Sequence, residues 1–326
     1  MPQWLNVTLF GLYLITVGAS VVVVLRENRN PIRSLAWVIA LIFLPYVGLI
    51  FYIFFGRSLR GVRMVSRHNK RKMVTAMAPR HINLDSQPLD EGEKSLIKLA
   101  RNISSSIYSV NNDIEVFTVG ADKFRSLKRD LAAARKSIYV QYYIFMDDHI
   151  GREIAEILKE RARAGLEVKV MYDHIGSFST KNSFWKELRE AGVDTHPFFR
   201  VNFPQLANRI NWRNHRKMVI IDQRVGYIGG MNIADRYDSG SEGGIPWRDT
   251  HFRVEGDIVE SLIFSFIIDW NFLKQPRPME YPVTNPSKLS ERVGMQLVTS
   301  GPAGQWDNLA LVYLKAISLA RKCIYI

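Results

Sequence analysis

Asn214-His215-Arg216-Lys217-Met218-Val219-Ile220-Ile221-Asp222 places a cluster of basic side chains directly ahead of an apolar run. The run reads as a buried strand ending at Asp222. Residues two apart on a strand share a face, so His215 and Lys217 are predicted to point together and Arg216 to point away. An imidazole beside an ammonium suits a phosphate. Lysine neutralises the nonbridging oxygens, and histidine near neutral pH either attacks phosphorus or moves a proton. Gln223 and Arg224 form a turn, and Val225-Gly226-Tyr227-Ile228 returns as the hairpin partner. In Gly229-Gly230-Met231-Asn232, the glycines let backbone approach a ligand and the asparagine supplies a carboxamide donor.

Outward from that hairpin, helices and strands alternate. Ala121 to Lys136 reads as a helix, Ile138 to Phe145 as an apolar strand, Arg152 to Ala164 as a helix closed by Gly165, and Glu167 to Tyr172 as the next strand. Phe184 to Ala191, stopped by Gly192, is a further helix, and His251 to Glu255 a short strand. Ile258 to Leu273 is apolar but interrupted by Glu260 and Asp269, which makes it a packed helix and not a membrane span. The fold class expected is α/β, a mixed sheet flanked by helices.

An echo appears late in the chain. Ala134-Arg135-Lys136-Ser137-Ile138-Tyr139-Val140 returns as Ala320-Arg321-Lys322-Cys323-Ile324-Tyr325-Ile326, and a helical pattern, Leu309 to Ala320, precedes the second copy. Self-similarity at domain spacing marks repeated architecture. The expectation is a first repeat over 96–290 and the opening of a second over 291–326, cut short within its first strand.

The 326 residues are 47% hydrophobic and 23% charged, which excludes a disordered or collagenous chain. A single cysteine, Cys323, excludes an internal disulfide and a Cys-rich zinc site. The net charge of +13 is unevenly spread: residues 1–72 hold ten Lys or Arg against the single acid Glu27. Seven of those ten, Arg57, Arg60, Arg63, Arg67, Lys70, Arg71 and Lys72, form one acid-free patch. A nuclease would carry its positive charge on the catalytic domain, so no nucleic-acid partner is expected.

Ahead of the patch, Leu5 to Leu25 and Ser34 to Gly56 are free of Asp, Glu, Lys, Arg and His, each long enough to cross about 30 Å of hydrocarbon as a helix. Residues 1–56 are therefore expected to be a two-helix membrane anchor. Residues 57–95 are a basic juxtamembrane segment, able to rest on anionic lipid, followed by a linker with Pro79 and Pro88. The positive-inside bias puts the catalytic domain in the cytoplasm.

His215, Lys217 and Asp222, then Gly229, Gly230 and Asn232, match the HxKxxxxD motif and following GGxN segment of the phospholipase D superfamily. The segment from Val140 to Ser177, Gly230 to Asp235, Trp247-Arg248-Asp249-Thr250, and Asn30-Pro31 through Phe55-Gly56-Arg57 resemble bacterial cardiolipin synthase. The resemblance implies two such motifs meeting at one site, with neither metal nor cofactor. It further implies phosphatidyl transfer between two phosphatidylglycerol molecules through a phosphohistidine, at the bacterial inner membrane. Lys217 and Asn232 would hold the phosphoryl oxygens, with Gly229 and Gly230 beside them. Asp249, or alternatively Glu242, would support the imidazole's other nitrogen, and Asp222 is more consistent with tying its own turn. With one motif in the sequence the chain alone is expected to be inactive unless two chains combine, so a homo-oligomer is compatible with this reading. A phospholipase or phosphodiesterase, which passes the intermediate to water, and a nonenzymatic membrane scaffold are the alternatives. The remaining histidines, His68, His81, His149, His174, His196 and His251, show no metal-site spacing. Asp147-Asp148 reads as a solvated pair, and Phe198, Phe199, Phe203 and Trp212 as core or pocket wall.

Overall fold

The computed structural model describes residues 3–27, 31–52, 56, 82–198, 200, 213–238, 247–273, 279, 293–301 and 307–325. The basic patch at 57–72, His68, His81, Phe199, Phe203, Trp212 and Glu242 lie outside the described residues. Two compact units result, one comprising residues 1–62 with 199–212 and the other 63–198 with 213–326.

In the first unit α1 spans Gln3–Glu27, α2 Pro31–Phe43 and α3 Pro45–Phe51. The 23-residue charge-free run is thus not one uninterrupted helix. Helix α2 stops at Phe43 because Pro45 offers no N–H and disfavours helical backbone at Leu44. Among the described residues no helix is long and apolar enough to cross a membrane. Val24, Leu41 and Tyr52 form a small core, with Trp37 edge-on to Tyr52 at 5.4 Å. Most other large apolar side chains described here face outward, among them Trp4, Ile15, Ile32 and Phe43.

The first α-helix described in the second unit is α4, Glu91–Ser104, which begins within the stretch expected to be linker, 57–95, and runs on into the expected first repeat. Asp90 accepts from the Glu93 N–H and Glu93 accepts from the Asp90 N–H, a capping box that starts the helix. Then follow β1 Tyr108–Ser109, β2 Asn112–Phe117, α5 Gly120–Ala132, β3 Ser137–Tyr142, α6 His149–Arg163, β4 Glu167–Asp173, α7 Asn182–Glu190 and β5 Asp194–Phe198. The chain continues with β6 Met218–Ile221, β7 Val225–Gly229, the short α8 Asp235–Asp238, β8 His251–Gly256, α9 Ile258–Phe272, β9 Met295–Gln296 and α10 Asn308–Leu319. Gly165 and Gly192 close α6 and α7 at φ of 89° and 95°, as their sequence positions predicted.

Seven strands form one mixed sheet in the order β2-β8-β7-β6-β3-β4-β5; β3, β4 and β5 are parallel and the remaining pairs antiparallel. Alternation sorts the side chains. Ile138, Val140, Tyr142, Val219 and Ile221 join the core with Phe124, Leu127, Ile154 and Leu158 of α5 and α6. Tyr139 points to the other face and stacks on Phe266 of α9 at 5.3 Å. Helices therefore cover both faces, as an α/β class requires.

Three boundaries differ from expectation. The motif strand is only Met218–Ile221, so His215 and Lys217 stand in the segment leading into it. The helix expected before the echo forms as α10, but residues 320–325 make no strand. And β9, placed by sequence in a second repeat, pairs with β1, Tyr108 opposite Gln296. The Gln296 side chain donates to Ser106 Oγ at 2.9 Å, which ties 293–296 to the unit already formed.

Candidate active site

The expected pair is brought together, although not by a strand. Lys217 Nζ lies 3.1 Å from His215 Nδ1 and donates to the His215 carbonyl at 2.8 Å. His215 is exposed and Lys217 buried, so the imidazole faces outward with the amine behind it. Tyr143, just past β3, packs its ring 4.5 Å from the imidazole, and Lys217 Nζ lies 5.3 Å from the same ring.

Two buried carboxylates hold this segment. Asp173, at the end of β4, accepts the Asn214 N–H at 3.0 Å and pairs with Arg213 at 3.2 Å. It also takes the N–H groups of Ile175 and Gly176 in its own turn. Asp269 on α9 accepts from Gln141 Nε2 at 2.6 Å, Asn214 Nδ2 at 2.9 Å and the Arg216 guanidinium. Arg216 therefore points away from His215, as alternation foretold. Asp173, Asp269 and Tyr143 were not assigned roles from sequence. Asp269 had left a signal, an acid inside an apolar helix.

Bases crowd the site. Burial, then the charge of Lys217, lowers the His215 pKa, with Asp173 opposing. Burial lowers the Lys217 pKa to about 8, with Asp249 opposing. Register extends the cluster across the sheet: Gly229 stands opposite His251, and the Gly229 N–H donates to the Lys217 carbonyl at 3.3 Å. His251 is fully buried, and among the described residues neither ring nitrogen has a hydrogen-bond partner. Desolvation, with the charges of Lys123 and Lys217, drives its pKa well below the usual value. Lys123, buried on α5, donates to Tyr142 OH at 3.1 Å, and desolvation likewise drives its pKa far down, with Asp238 opposing. Such a group of undercompensated bases is what an incoming anion would relieve.

The other expected residues are placed differently. Gly229 and Gly230 make room for protein. A β-carbon on Gly229 would stand 2.5 Å from His251 Cα, and one on Gly230 2.0 Å from Asp249 Oδ1. Their close approach is to the segment entering β8. Asn232 is buried, its Oδ1 accepting the Ile144 N–H at 3.0 Å and its Nδ2 donating to Tyr237 OH at 2.8 Å. Asp249 Oδ1 accepts the Thr250 N–H at 2.7 Å, and among the described residues no hydrogen bond joins Asp249 to His215. Asp222 lies at the far end of β6. It ties a different turn from its own, taking the N–H groups of Arg135, Lys136 and Ser137 at 2.7 to 3.1 Å. Asp147 pairs with Arg152, and Asp148 caps α6 through the Gly151 N–H. Among the described residues no group of three or more His, Cys, Asp or Glu is arranged to hold a metal ion.

Comparison with known proteins follows the same lines. Residues 127–242 match the family described as cardiolipin synthase, PLD-like domain, and 14–57 match the phospholipase D-nuclease N-terminal family. The chain is similar to the major cardiolipin synthase of Bacillus subtilis, 33% identical over 96% of this chain and 67% of that protein. It is also similar to a cardiolipin synthase of Oceanobacillus iheyensis, 35% identical over 98% of this chain and 68% of that one. Among solved structures it matches the phospholipase D family member Nuc from Salmonella typhimurium, 17% identical, covering 49% of this chain and 95% of that one, with a TM-score of 0.37. The chain spans about two thirds of the length of the curated relatives it matches. With that identity along nearly its whole length, it belongs to the cardiolipin synthase family, enzymes of the phosphatidyltransferase type within the phospholipase D superfamily.

Proposed function

We propose that this chain supplies one half of a cardiolipin synthase site, transferring the phosphatidyl group of one phosphatidylglycerol to another with release of glycerol. The observation that carries the reading is the exposed His215 imidazole backed by the buried Lys217 amine 3.1 Å away. Since Nδ1 faces Lys217, attack falls to Nε2. It bonds to phosphorus while the bond to the departing glycerol oxygen breaks, and a second histidine protonates that oxygen. The same histidine then takes the proton from a hydroxyl of the second phosphatidylglycerol, whose oxygen displaces His215 and breaks the P–N bond.

An Nε2 lone pair requires the imidazole proton on Nδ1. Lys217 therefore leaves Nδ1 for a nonbridging phosphoryl oxygen as the lipid arrives, with Asp249 supporting its charge. Asn232, through its remaining amide hydrogen, and the backbone at Gly229 and Gly230 shape the wall beside it. The HxKxxxxD pattern occurs once in these 326 residues, so the second histidine is assigned to a second repeat or a second copy of the chain.

Residues 1–56 are proposed to anchor the protein in the bacterial inner membrane as a multi-pass segment with the catalytic unit on the cytoplasmic side. The family match at 14–57 and the outward-facing apolar side chains of α1 to α3 support this. Lipid mass spectrometry tests the whole reading, with the chain in phosphatidylglycerol vesicles, alone and with a complementing second repeat from a relative. Cardiolipin plus glycerol supports transfer. Phosphatidic acid replaces it with hydrolysis, and no new lipid in either case leaves the scaffold.

A further inference from the structure

The loops at the two ends of the seven-stranded sheet differ in kind. Strands β2, β3, β4 and β7 end, and β6 and β8 begin, at the end where His215 lies. The connecting turns there expose large apolar side chains: Val119 is 53% accessible, Phe178 76% and Trp247 60%. The turns at the opposite end, 133–136, 164–166, 191–193, 222–224 and 256–257, expose none.

These side chains do not dangle. Phe178 sits on a turn pinned beneath it, where Ser177 Oγ donates to the Tyr143 carbonyl at 3.2 Å and Thr180 Oγ1 to the Phe145 carbonyl at 2.6 Å. The Trp247 backbone N–H donates to the Arg236 carbonyl at 2.9 Å, and the Trp247 ring meets Tyr237 at 6.0 Å. Fixed apolar rings thus project into solvent on both sides of the His215 segment. Cations accompany them. Lys181 and Arg248 are exposed, and among the described residues neither forms an ion pair. Four acids nearby are turned inward: Asp147 holds Arg152, Asp148 and Asp235 cap α6, and Asp173 grips Arg213. Aromatic rings beside unpaired cations match the interface of an anionic bilayer, apolar below and negative above.

We infer that this end of the sheet is a bilayer-docking rim, with Phe178 and Trp247 entering the apolar layer and Lys181 and Arg248 meeting anionic headgroups. The inference rests on the lipid-substrate reading and adds to it how a headgroup reaches His215: the site is pressed onto the membrane instead of extracting a lipid into water.

Depth-resolved fluorescence quenching tests it. The full chain, carrying Cys323→Ser, receives an environment-sensitive label through Phe178→Cys, Trp247→Cys or, at the opposite end, Arg224→Cys. Ser179→Cys is a second probe that keeps Phe178. The labelled chains are incorporated in vesicles of phosphatidylcholine and phosphatidylglycerol. Expected is quenching by bromine-bearing acyl chains of about half or more at 178, 179 and 247, with protection from aqueous iodide, and the reverse pattern at 224. Equal iodide quenching at all positions overturns the rim. So does shielding from both quenchers, which would mean that protein covers this end. The readout requires no turnover, so a chain that shows the pattern but makes no cardiolipin loses the synthase reading alone.

Discussion

Strand β6 joins two residues of one motif that live in opposite conditions. At its start Lys217 is buried with a lowered pKa, and its partner is an imidazole, not a carboxylate. Beyond its end Asp222 takes three backbone N–H groups and closes the turn into β3. One end holds a base that the fold leaves undercompensated; at the other a carboxylate is engaged by three backbone donors. A shared motif is therefore no guarantee of a shared role. Asp222 keeps β3 and β6 in register, and with them the segments that carry Tyr143 and His215.

The contrast is broken most forcefully at His215. His215→Ala should lower phosphatidyl transfer at least about 10³-fold, measured in whichever assembly supplies the second histidine, while the unfolding free energy from urea denaturation changes by no more than about 0.5 kcal/mol because the side chain is exposed. Transfer that survives the substitution removes the nucleophile from this chain. Asp222→Ala should act the other way, costing about 2–4 kcal/mol of stability by orphaning N–H groups, with transfer lost only in proportion to the unfolded fraction. A rate loss at full stability would place Asp222 in the chemistry after all.

Gly229→Ala tests the packing at the Lys217 end. Its new methyl would press on His251 Cα from 2.5 Å, and a loss of about 1–3 kcal/mol in chemical denaturation is expected. A neutral result would show that the segment entering β8 yields easily.

Lys217→Met should shift stability in the opposite direction. The folded pKa of about 8 lies below the ordinary lysine value, so folding disfavours the ammonium. Below about pH 8 both states hold the proton and the penalty is complete. Between there and the unfolded pKa the unfolded state binds more proton, so wild-type stability rises with pH. The variant should lack that rise and be about 1–2 kcal/mol more stable at pH 7, after allowance for solvent screening. Its transfer activity should nevertheless collapse, and wild-type transfer should decline above about pH 8 as the ammonium is lost. A pH-independent stability difference would mean that packing, not charge, sets the effect.

Much of this was legible in the residues. Strand β4 and helices α6, α7 and α9 fell within a few residues of their expected bounds, because each has two-sided burial or a clean apolar stripe closed by a glycine or a cap. Within the seven-stranded sheet the strands not foreseen, β2 and β5, are its two edges. An edge strand is buried less evenly, and Asn112-Asp113 and Asp194-Thr195-His196-Pro197 show it, with polar side chains and a proline that a central strand would reject. At the site, His215 and Lys217 could be chosen because their chemistry is local. Asn232, Gly229 and Gly230 were assigned to a ligand; that the fold also engages them with Ile144, Tyr237 and the approach to β8 was not foreseen, since spacing along the chain cannot say which side a close neighbour occupies. The grip of Asp173 and Asp269 on Asn214 joins residues 41 and 55 apart in the chain, beyond the reach of any local pattern.

That grip bears on how substrate binding is used. A nucleophile on an untethered loop would have to surrender its freedom anew with each encounter, at the expense of affinity. Here Asn214 is held from β4 and α9 at once, so the ordering is completed when the protein folds. On the proposed mechanism, the attraction between headgroup and cations then remains free to orient the phosphorus for in-line displacement.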